Sequence, residues 1–329
     1  MKLLQVSIAA LSVFLSGGML SGDASAPSQT DTASQSTPAM ALTFDELPYA
    51  PGGQPDKLAA AERVTTALLR VLASHRAPAV AFVNEGKLQI DGEVDARTAL
   101  LKQWVENGAI LGNHTYSHAD LNTVSIDEFE IEIVKGDIVS RRLMGRQPYQ
   151  LYFRHPQTHT GETPAKKEAI EQFLAARHYK VAPHTIDSAD YIFNVGYVRS
   201  LQADDQAMAG RLRAAYVDFV IAATEFAGQI AQQVVGRAIP QTMVLHANDI
   251  NADALDQILQ RLEGRSYRFV TLDYAMTDPA YQIKDVLVTK QGPTWLWRWM
   301  KSKGQNVSFK GDPEPPQWVT DLYTSKGAK

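Results

Sequence analysis

From Met40 onward, short apolar runs alternate with longer segments of helical period, and this alternation limits the fold more than any other property of the 329-residue sequence. Residues 40–44, 78–83, 109–112, 150–153, 179–182, 242–245 and 267–271 have the length and apolar content of buried strands. Residues 57–74, 96–106, 127–143, 164–177 and 252–263 carry apolar positions at helical spacing, and Gly108 marks the end of the second of these helices. Parallel neighbours need a long crossover between them, and a helix supplies it. Repeated strand–helix units therefore give an α/β fold with a mostly parallel sheet. The number of units favours a closed or nearly closed barrel over an open sheet.

The flanks of this core differ in composition. Met1 and Lys2 precede an apolar run over residues 3–15, then the small residues Ala24, Ser25 and Ala26, which is the layout of a cleaved export signal over 1–26. The run is too short to span a bilayer, so no stable membrane span is expected after cleavage, and the location is periplasmic or secreted. Residues 27–38 are Ser-, Thr-, Gln- and Pro-rich and read as a disordered spacer. The domain then runs over 39–282. An Ala-, Gln- and Arg-rich stretch, 197–237, reads as a helical insertion, and 283–329 as an irregular strap packing on the domain. The tail carries Trp295, Trp297 and Trp299, and core packing outweighs sugar stacking as their role. The net charge of −4 offers no basic field for nucleic acid. No heptad or exposed apolar repeat implies a protein partner. With no cysteine in the chain, any metal must be held by His and carboxylates.

Polar residues gather just after the expected strands. Asp45 and Glu46 follow the first, His114 and His118 the third, Arg154 and His155 the fourth, Asp187 and Asp190 the fifth, and His246 ends the sixth. In barrel-like α/β folds the C-terminal strand ends share one face, where active sites form. Two histidines four apart lie on one side of a helical turn and can grip one divalent ion. A carboxylate from Asp45 or Glu46 would complete three protein ligands and leave a position open, as in hydrolytic metal sites. Taken singly, each group has a plainer reading: a capping histidine, a solvated acidic turn, an ion-pair partner.

Together these residues resemble the polysaccharide deacetylase family, also known as carbohydrate esterase family four or the NodB-homology family. The resemblance runs from about Met40 to Ala275. Thr43-Phe44-Asp45-Glu46 stands where the family has Thr-Phe-Asp-Asp. His114-Thr115-Tyr116-Ser117-His118 matches its His-(Ser/Thr)-x-x-His. Arg154-His155-Pro156-Gln157 partly matches Arg-Pro-Pro-Tyr. Asp187-Ser188-Ala189-Asp190-Tyr191 keeps the acids of Asp-x-x-Asp-Trp, and Val244-Leu245-His246 keeps the histidine of Leu-x-His. The resemblance implies a distorted (β/α) barrel with fewer than eight strands. It implies Asp45 as general base and Glu46, His114 and His118 as ligands of a divalent metal, zinc or a similar ion, that polarises the acetyl carbonyl. It implies the Gln157 backbone N–H as oxyanion donor, His246 as the acid that protonates the leaving group, and Tyr191 at the substrate. Arg154 would tune Asp45, and Asp190 would tune His246.

The expected activity is thus removal of N- or O-acetyl groups from an acetylated carbohydrate. The departures keep two other readings open. Glu46 is one methylene longer than the family's ligand, and the third and fourth motifs lack their groove-lining aromatics. A metal hydrolase of a small non-sugar amide or ester would fit such a site, as would a catalytically lapsed carbohydrate-binding member. His155 and His159 add polar groups near the third motif, with their role open.

Overall fold

Nine residues, Ala39–Leu47, form the central strand β1, and all but Glu46 are buried. A strand covered on both faces needs near-continuous apolar sequence, which Ala39 to Leu42 supply. The computed structural model describes residues 37–145, 148–306 and 310–325, so the expected export signal and most of the spacer lie outside the described residues. The other strands are β2 (Ala79–Val83), β3 (Ile110–Asn113), β4 (Leu151–Phe153), β5 (Tyr179–Val181), β6 (Ile186–Asp187), β7 (Gln241–His246) and β8 (Arg268–Phe269). Their order is β5-β4-β3-β2-β1-β7-β6, and β8 lies off this path, pairing with Ala39 and Met40 at the start of β1. Every pairing is parallel.

The two ends of this path are close in sequence. β5 ends at Val181 and β6 begins at Ile186, a stretch that spans at most about 18 Å when fully extended. The edges have therefore curled toward each other. Among the described residues β5 and β6 do not pair, so the fold is a distorted (β/α) barrel that stays incompletely closed.

Helices wrap this barrel: α1 (Leu58–Ser74), α2 (Val94–Glu106), α3 (Ile126–Lys135), α4 (Ile138–Met144), α5 (Pro164–Ala176), α6 (Asp190–Gln202), α7 (Gln206–Val235), α8 (Asp249–Glu263) and α9 (Leu272–Met276). The tail adds α10 (Trp295–Ser302) and α11 (Gln317–Thr324). α1 turns Ala61, Val64, Leu68 and Leu72 inward, the stripe that residues three and four apart make on a helix. Ser125 and Glu128 form a reciprocal capping box at the start of α3, and Thr163 followed by Pro164 starts α5.

Two expectations are corrected, the single helix over 127–143 and the wholly irregular tail. Residues 127–143 form two helices rather than one. The break comes where buried Glu85, just after β2, accepts from the Val139 and Ser140 backbone N–H groups (2.9 and 2.7 Å) and so caps α4. Gly136 sits at the break because a Cβ there would come within 2.7 Å of the Thr115 carbonyl carbon. The helical stretch expected at 197–237 is the C-terminal half of α6 followed by the 30-residue α7. The tail is not wholly irregular: α10 carries Trp295, Trp297 and Trp299, and each is buried. A fully buried aromatic contributes about 1.5–3 kcal/mol, which explains why this short helix docks firmly.

Candidate active site

Strand register assembles the site. Asp45 on β1 pairs directly with His246 on β7, so these two side chains leave neighbouring strands side by side. On the other flank, Asn113 of β3 aligns with Val83 of β2 and with Phe153 of β4. The next residues, His114 and Arg154, therefore emerge together, their backbones tied by His114 N–H to Val83 O (3.1 Å) and Arg154 N–H to Asn113 O (3.0 Å). The result is a cavity of about 480 Å³ whose walls include Asp45, Glu46, His114, His118, Gln157, His159, His184, Asp187, Tyr191 and His246. Of the sequence-derived candidates, Arg154, His155 and Asp190 are buried outside the cavity lining, and the rest face the cavity.

The expected helical turn at His114–His118 is not there. The segment is a bend in which Thr115 and His118 take left-handed backbone angles (φ 64° and 62°). The two imidazoles still meet, with ring centroids 5.0 Å apart. Asn84 and Asn113 hold the bend: Asn84 donates to His114 O (2.6 Å), and the Asn113 side chain accepts from Thr115 N–H (2.8 Å). His114 Nδ1 bonds the Arg154 carbonyl oxygen at 2.8 Å. That contact requires a proton on Nδ1 and leaves the Nε2 lone pair facing Asp45 Oδ2, 3.9 Å away. Burial holds both His114 and His118 below the usual imidazole range, so both are neutral at physiological pH.

Glu46 lies 3.6 Å from His118 Nε2 through Oε1, and its Oε2 accepts from the Lys87 ammonium at 2.7 Å. Burial works against its charge, but Lys87, His246 and His118 together hold it ionised, well below the usual carboxylate range. Two neutral imidazoles, one oriented through its second nitrogen, and one ionised carboxylate are the donor chemistry of a divalent-cation site. Among the described residues no three such side chains are already drawn together as an assembled metal site. The donor types thus fit a cation, with Lys87 engaging one Glu46 oxygen.

Asp45 is buried, and its Oδ1 has no hydrogen-bond partner. Arg154 stands beside it, Nη1 4.0 Å from Asp45 Oδ2, and spends its one side-chain hydrogen bond on Thr43 Oγ1 (2.9 Å). Its Nε and Nη1 are buried without partners. Burial raises the Asp45 carboxyl above its ordinary range, with the Arg154 charge opposing.

His246 has the opposite kind of environment. Its Nδ1 bonds Asp190 Oδ1 at 2.6 Å, its backbone N–H donates to Asp190 Oδ2 at 2.6 Å, and Asn251 donates to the same oxygen. Burial opposes protonation of the ring, yet the Asp190 carboxylate, with Glu46 and Asp45, lifts it to about 10. His246 is therefore an imidazolium at neutral pH, with Nε2 turned away from Asp190.

Gln157 and Thr158 both adopt left-handed angles (φ 54° and 57°). The neighbouring amides of Thr158 and His159 bond back to His155 O and Pro156 O, whereas the Gln157 N–H has no acceptor among the described residues. His155, in the place of a family proline, is buried against Phe153 in an edge-on contact (4.9 Å) and stacks on Phe129, and burial holds it neutral at about 3. His159 pairs with Asp120 (2.8 Å). Tyr191 is half exposed and packs edge-on against His246 and Tyr323.

Sequence reasoning missed Lys87, His184 and Asn251. Lys87 follows the end of β2 as Asp45 follows most of β1, so the strand-end rule would have found it. His184 lies in the crossing from β5 to β6, where no helix intervenes to mark a strand end. Asn251 acts from the first turn of α8, and nothing local signals that role.

A family model for polysaccharide deacetylase matches residues 32–176. Over that segment this chain is similar to the polysaccharide deacetylase family. A peptidoglycan-N-acetylglucosamine deacetylase of Bacillus cereus is 23% identical over 239 residues, which cover 71% of this chain and 66% of that protein. A chitin deacetylase of Arthroderma benhamiae is 29% identical over 153 residues, covering 46% of this chain and 35% of that protein. The chain thus spans less than two thirds of the length of these two relatives. Among solved structures, a mutant of a CE4 family pseudoenzyme from Bacillus anthracis overlays with a TM-score of 0.47 at 15% identity, covering 73% of this chain and 68% of that one.

Proposed function

We propose that this chain is a metal-dependent hydrolase that removes acetyl groups from a carbohydrate. The observation that carries the reading is the pairing of a desolvated carboxylate, Asp45, with an imidazolium, His246, on adjacent strands beside two neutral histidines. A base and an acid held in opposite protonation states across one cavity suit addition of water to an acyl group and expulsion of an amine or alcohol. Similarity to polysaccharide deacetylases supports acetyl as the acyl group and a sugar as the rest of the substrate.

In this reading the acetyl carbonyl lies between the Gln157 N–H and the side of the cavity formed by Glu46, His114 and His118. Asp45 takes a proton from water as it adds to the carbonyl carbon, and its raised basicity favours that transfer. The Gln157 N–H donates to the oxygen on which charge develops. His246 Nε2–H then protonates the departing nitrogen or oxygen, while Asp190 and Asn251 keep the ring oriented and charged. Arg154 limits the cost of the buried Asp45 charge. Glu46, His114 and His118 would hold a divalent ion such as zinc, which supplies Lewis-acid polarisation of the acetyl oxygen when bound. Tyr191 takes the aromatic position beside the sugar.

Export is part of the proposal, supported by the apolar leader at 3–15. Among the described residues no helix is long and apolar enough to cross a membrane. The Lys87 contact gives one reason to weigh a lapsed site, since an ammonium on Glu46 competes with a cation. Acetate release decides it, measured over N-acetylated chitooligosaccharides, peptidoglycan fragments, O-acetylated xylan and a simple acetyl ester, with zinc or with chelator. Chelator-sensitive release from a sugar supports the proposal. Release from the simple ester alone favours a small-substrate hydrolase, and release from none, with or without zinc, favours the lapsed reading.

A further inference from the structure

The oxyanion loop is held by the C-terminal tail, which lies outside the 32–176 segment that the family model matches. Two consecutive non-glycine residues in the left-handed region, Gln157 and Thr158, persist only where their surroundings over-determine them. The surroundings here come from residues 285–298. Arg298 on α10 is fully buried and donates to the Thr158 carbonyl (2.8 Å) and to Thr160 Oγ1 (2.8 Å). The same guanidinium is anchored by Asp285 (2.9 Å) and by the Pro293 carbonyl (3.1 Å), and Asp285 is held in turn by Lys167 of α5 (2.7 Å). Gly292 lies so close that a Cβ on it would sit 2.0 Å from the Gln157 carbonyl oxygen. A second anchor ties the tail to the opposite wall: Trp295 N–H donates to His184 O (2.8 Å), and the His184 ring packs edge-on against Trp295. The tail therefore bridges the loop after β4 and the crossing from β5 to β6.

We propose that the segment from Gly292 to Arg298 is a built-in clamp that fixes the Gln157–Thr158 turn, with Arg298 as a positioning residue for the oxyanion donor. The guanidinium suits this task because its planar fork reaches a carbonyl, a hydroxyl and a carboxylate at once, whereas a lysine ammonium could keep the Asp285 contact but not all three. Gly292 completes the clamp by closing on the Gln157 carbonyl from above. The catalytic part of this inference rests on the deacetylase reading; the structural part does not.

Two readouts keep them apart. Hydrogen–deuterium exchange of the full chain compares Arg298→Met and Arg298→Lys with the unsubstituted protein. The clamp predicts roughly tenfold faster exchange confined to peptides covering residues 154–160 and 284–298 in Arg298→Met, with partial protection restored in Arg298→Lys. Unchanged exchange at 154–160 overturns it. Steady-state acetate release at saturating zinc then tests the consequence. The expected result is a kcat lower by about tenfold to a hundredfold, with KM and zinc content within about twofold, because a misplaced donor weakens the transition state more than substrate binding. An equal rise in KM with kcat intact contradicts a positioning role. If Arg298→Met fails to fold, Gly292→Ala carries both readouts, since its methyl group must displace the Gln157 carbonyl. If the unsubstituted protein releases no acetate, the deacetylase reading falls and the exchange data alone judge the clamp.

Discussion

Asp45 and His246 face the same cavity from paired positions on adjacent strands, yet their surroundings are built on opposite plans. His246 is completed by its own protein: both Asp190 oxygens are engaged, Asn251 closes the network, and the ring is charged before any substrate arrives. Around Asp45 the contacts stop short. Arg154 and His114 stand at 4.0 and 3.9 Å, one Asp45 oxygen is unpartnered, and two Arg154 nitrogens are buried without acceptors. Buried polar groups left unpaired cost stability. The acid side is thus completed by the protein's own groups, whereas the base side has groups suited to pair with water, cation and substrate. The difference teaches where the reaction is preorganised by side chains alone and where it depends on what binds.

The largest test of this contrast is Asp45→Asn. It should lower kcat by about 10³-fold or more, the range for a lost general base. Thermal unfolding should change little, because removal of the desolvated Asp45 charge is offset by loss of its attraction to buried Arg154. A clear fall in melting temperature with activity retained would mean that Asp45 is structural.

Asp190→Asn probes the other side and should lower kcat by about 10²-fold with zinc affinity unchanged. Its sign in pH follows from the raised His246 value. A proton-donating His246 supports turnover at pH values below its own titration and loses it as pH rises through about 10. Removing the Asp190 charge should move that alkaline limb down toward the ordinary imidazole range, near 6.5. An alkaline limb that stays in place would assign the acid role elsewhere.

A smaller effect is expected from Lys87→Met. Freeing the second Glu46 oxygen and removing a like charge should tighten zinc binding by on the order of tenfold, read by equilibrium dialysis. Weaker binding would mean instead that Lys87 positions Glu46 for the cation.

The smallest lies at the far end of α1, where His75 contacts Asp256 and Glu263 of α8, each at 3.0 Å, with both acids largely exposed. Burial opposes its charge, but the two carboxylates raise its pKa. Its contribution is then fully present below the unfolded value and is lost as pH rises through the folded one. His75→Gln should lower the melting temperature by about 1–3 °C at pH 6 and by nothing at pH 9. A difference independent of pH would point to packing rather than charge.

The same contrast marks how much could be seen in the sequence. The residues at strand ends were legible because strand period and barrel topology deliver them to one face whatever their local conformation. Asp45, His114, Arg154 and His246 are of this kind. Their backbone was less legible: His114–His118 is a bend rather than a helical turn, set by Asn84 just past β2 and by the side chain of Asn113 at the end of β3 itself. The break between α3 and α4 is likewise imposed from outside, by Glu85. Supporting groups acting over long sequence distances left no local trace. Asn251 reaches Asp190 from 61 residues away, and Arg298 reaches Thr158 from 140. The tail looked like a strap because its two helices, α10 and α11, are only eight residues each and proline-rich sequence lies between them.

The central claim is that hydrolysis needs both the carboxylate of Asp45 and the cation that Glu46, His114 and His118 would hold. The most direct measurement is acetate release from an N-acetylated chitooligosaccharide by the chain from residue 37 onward. It would be run with zinc, with chelator, and with zinc on Asp45→Asn. The account predicts release in the first sample and loss of at least about 10³-fold in the other two. Release that survives either chelation or the substitution would contradict it.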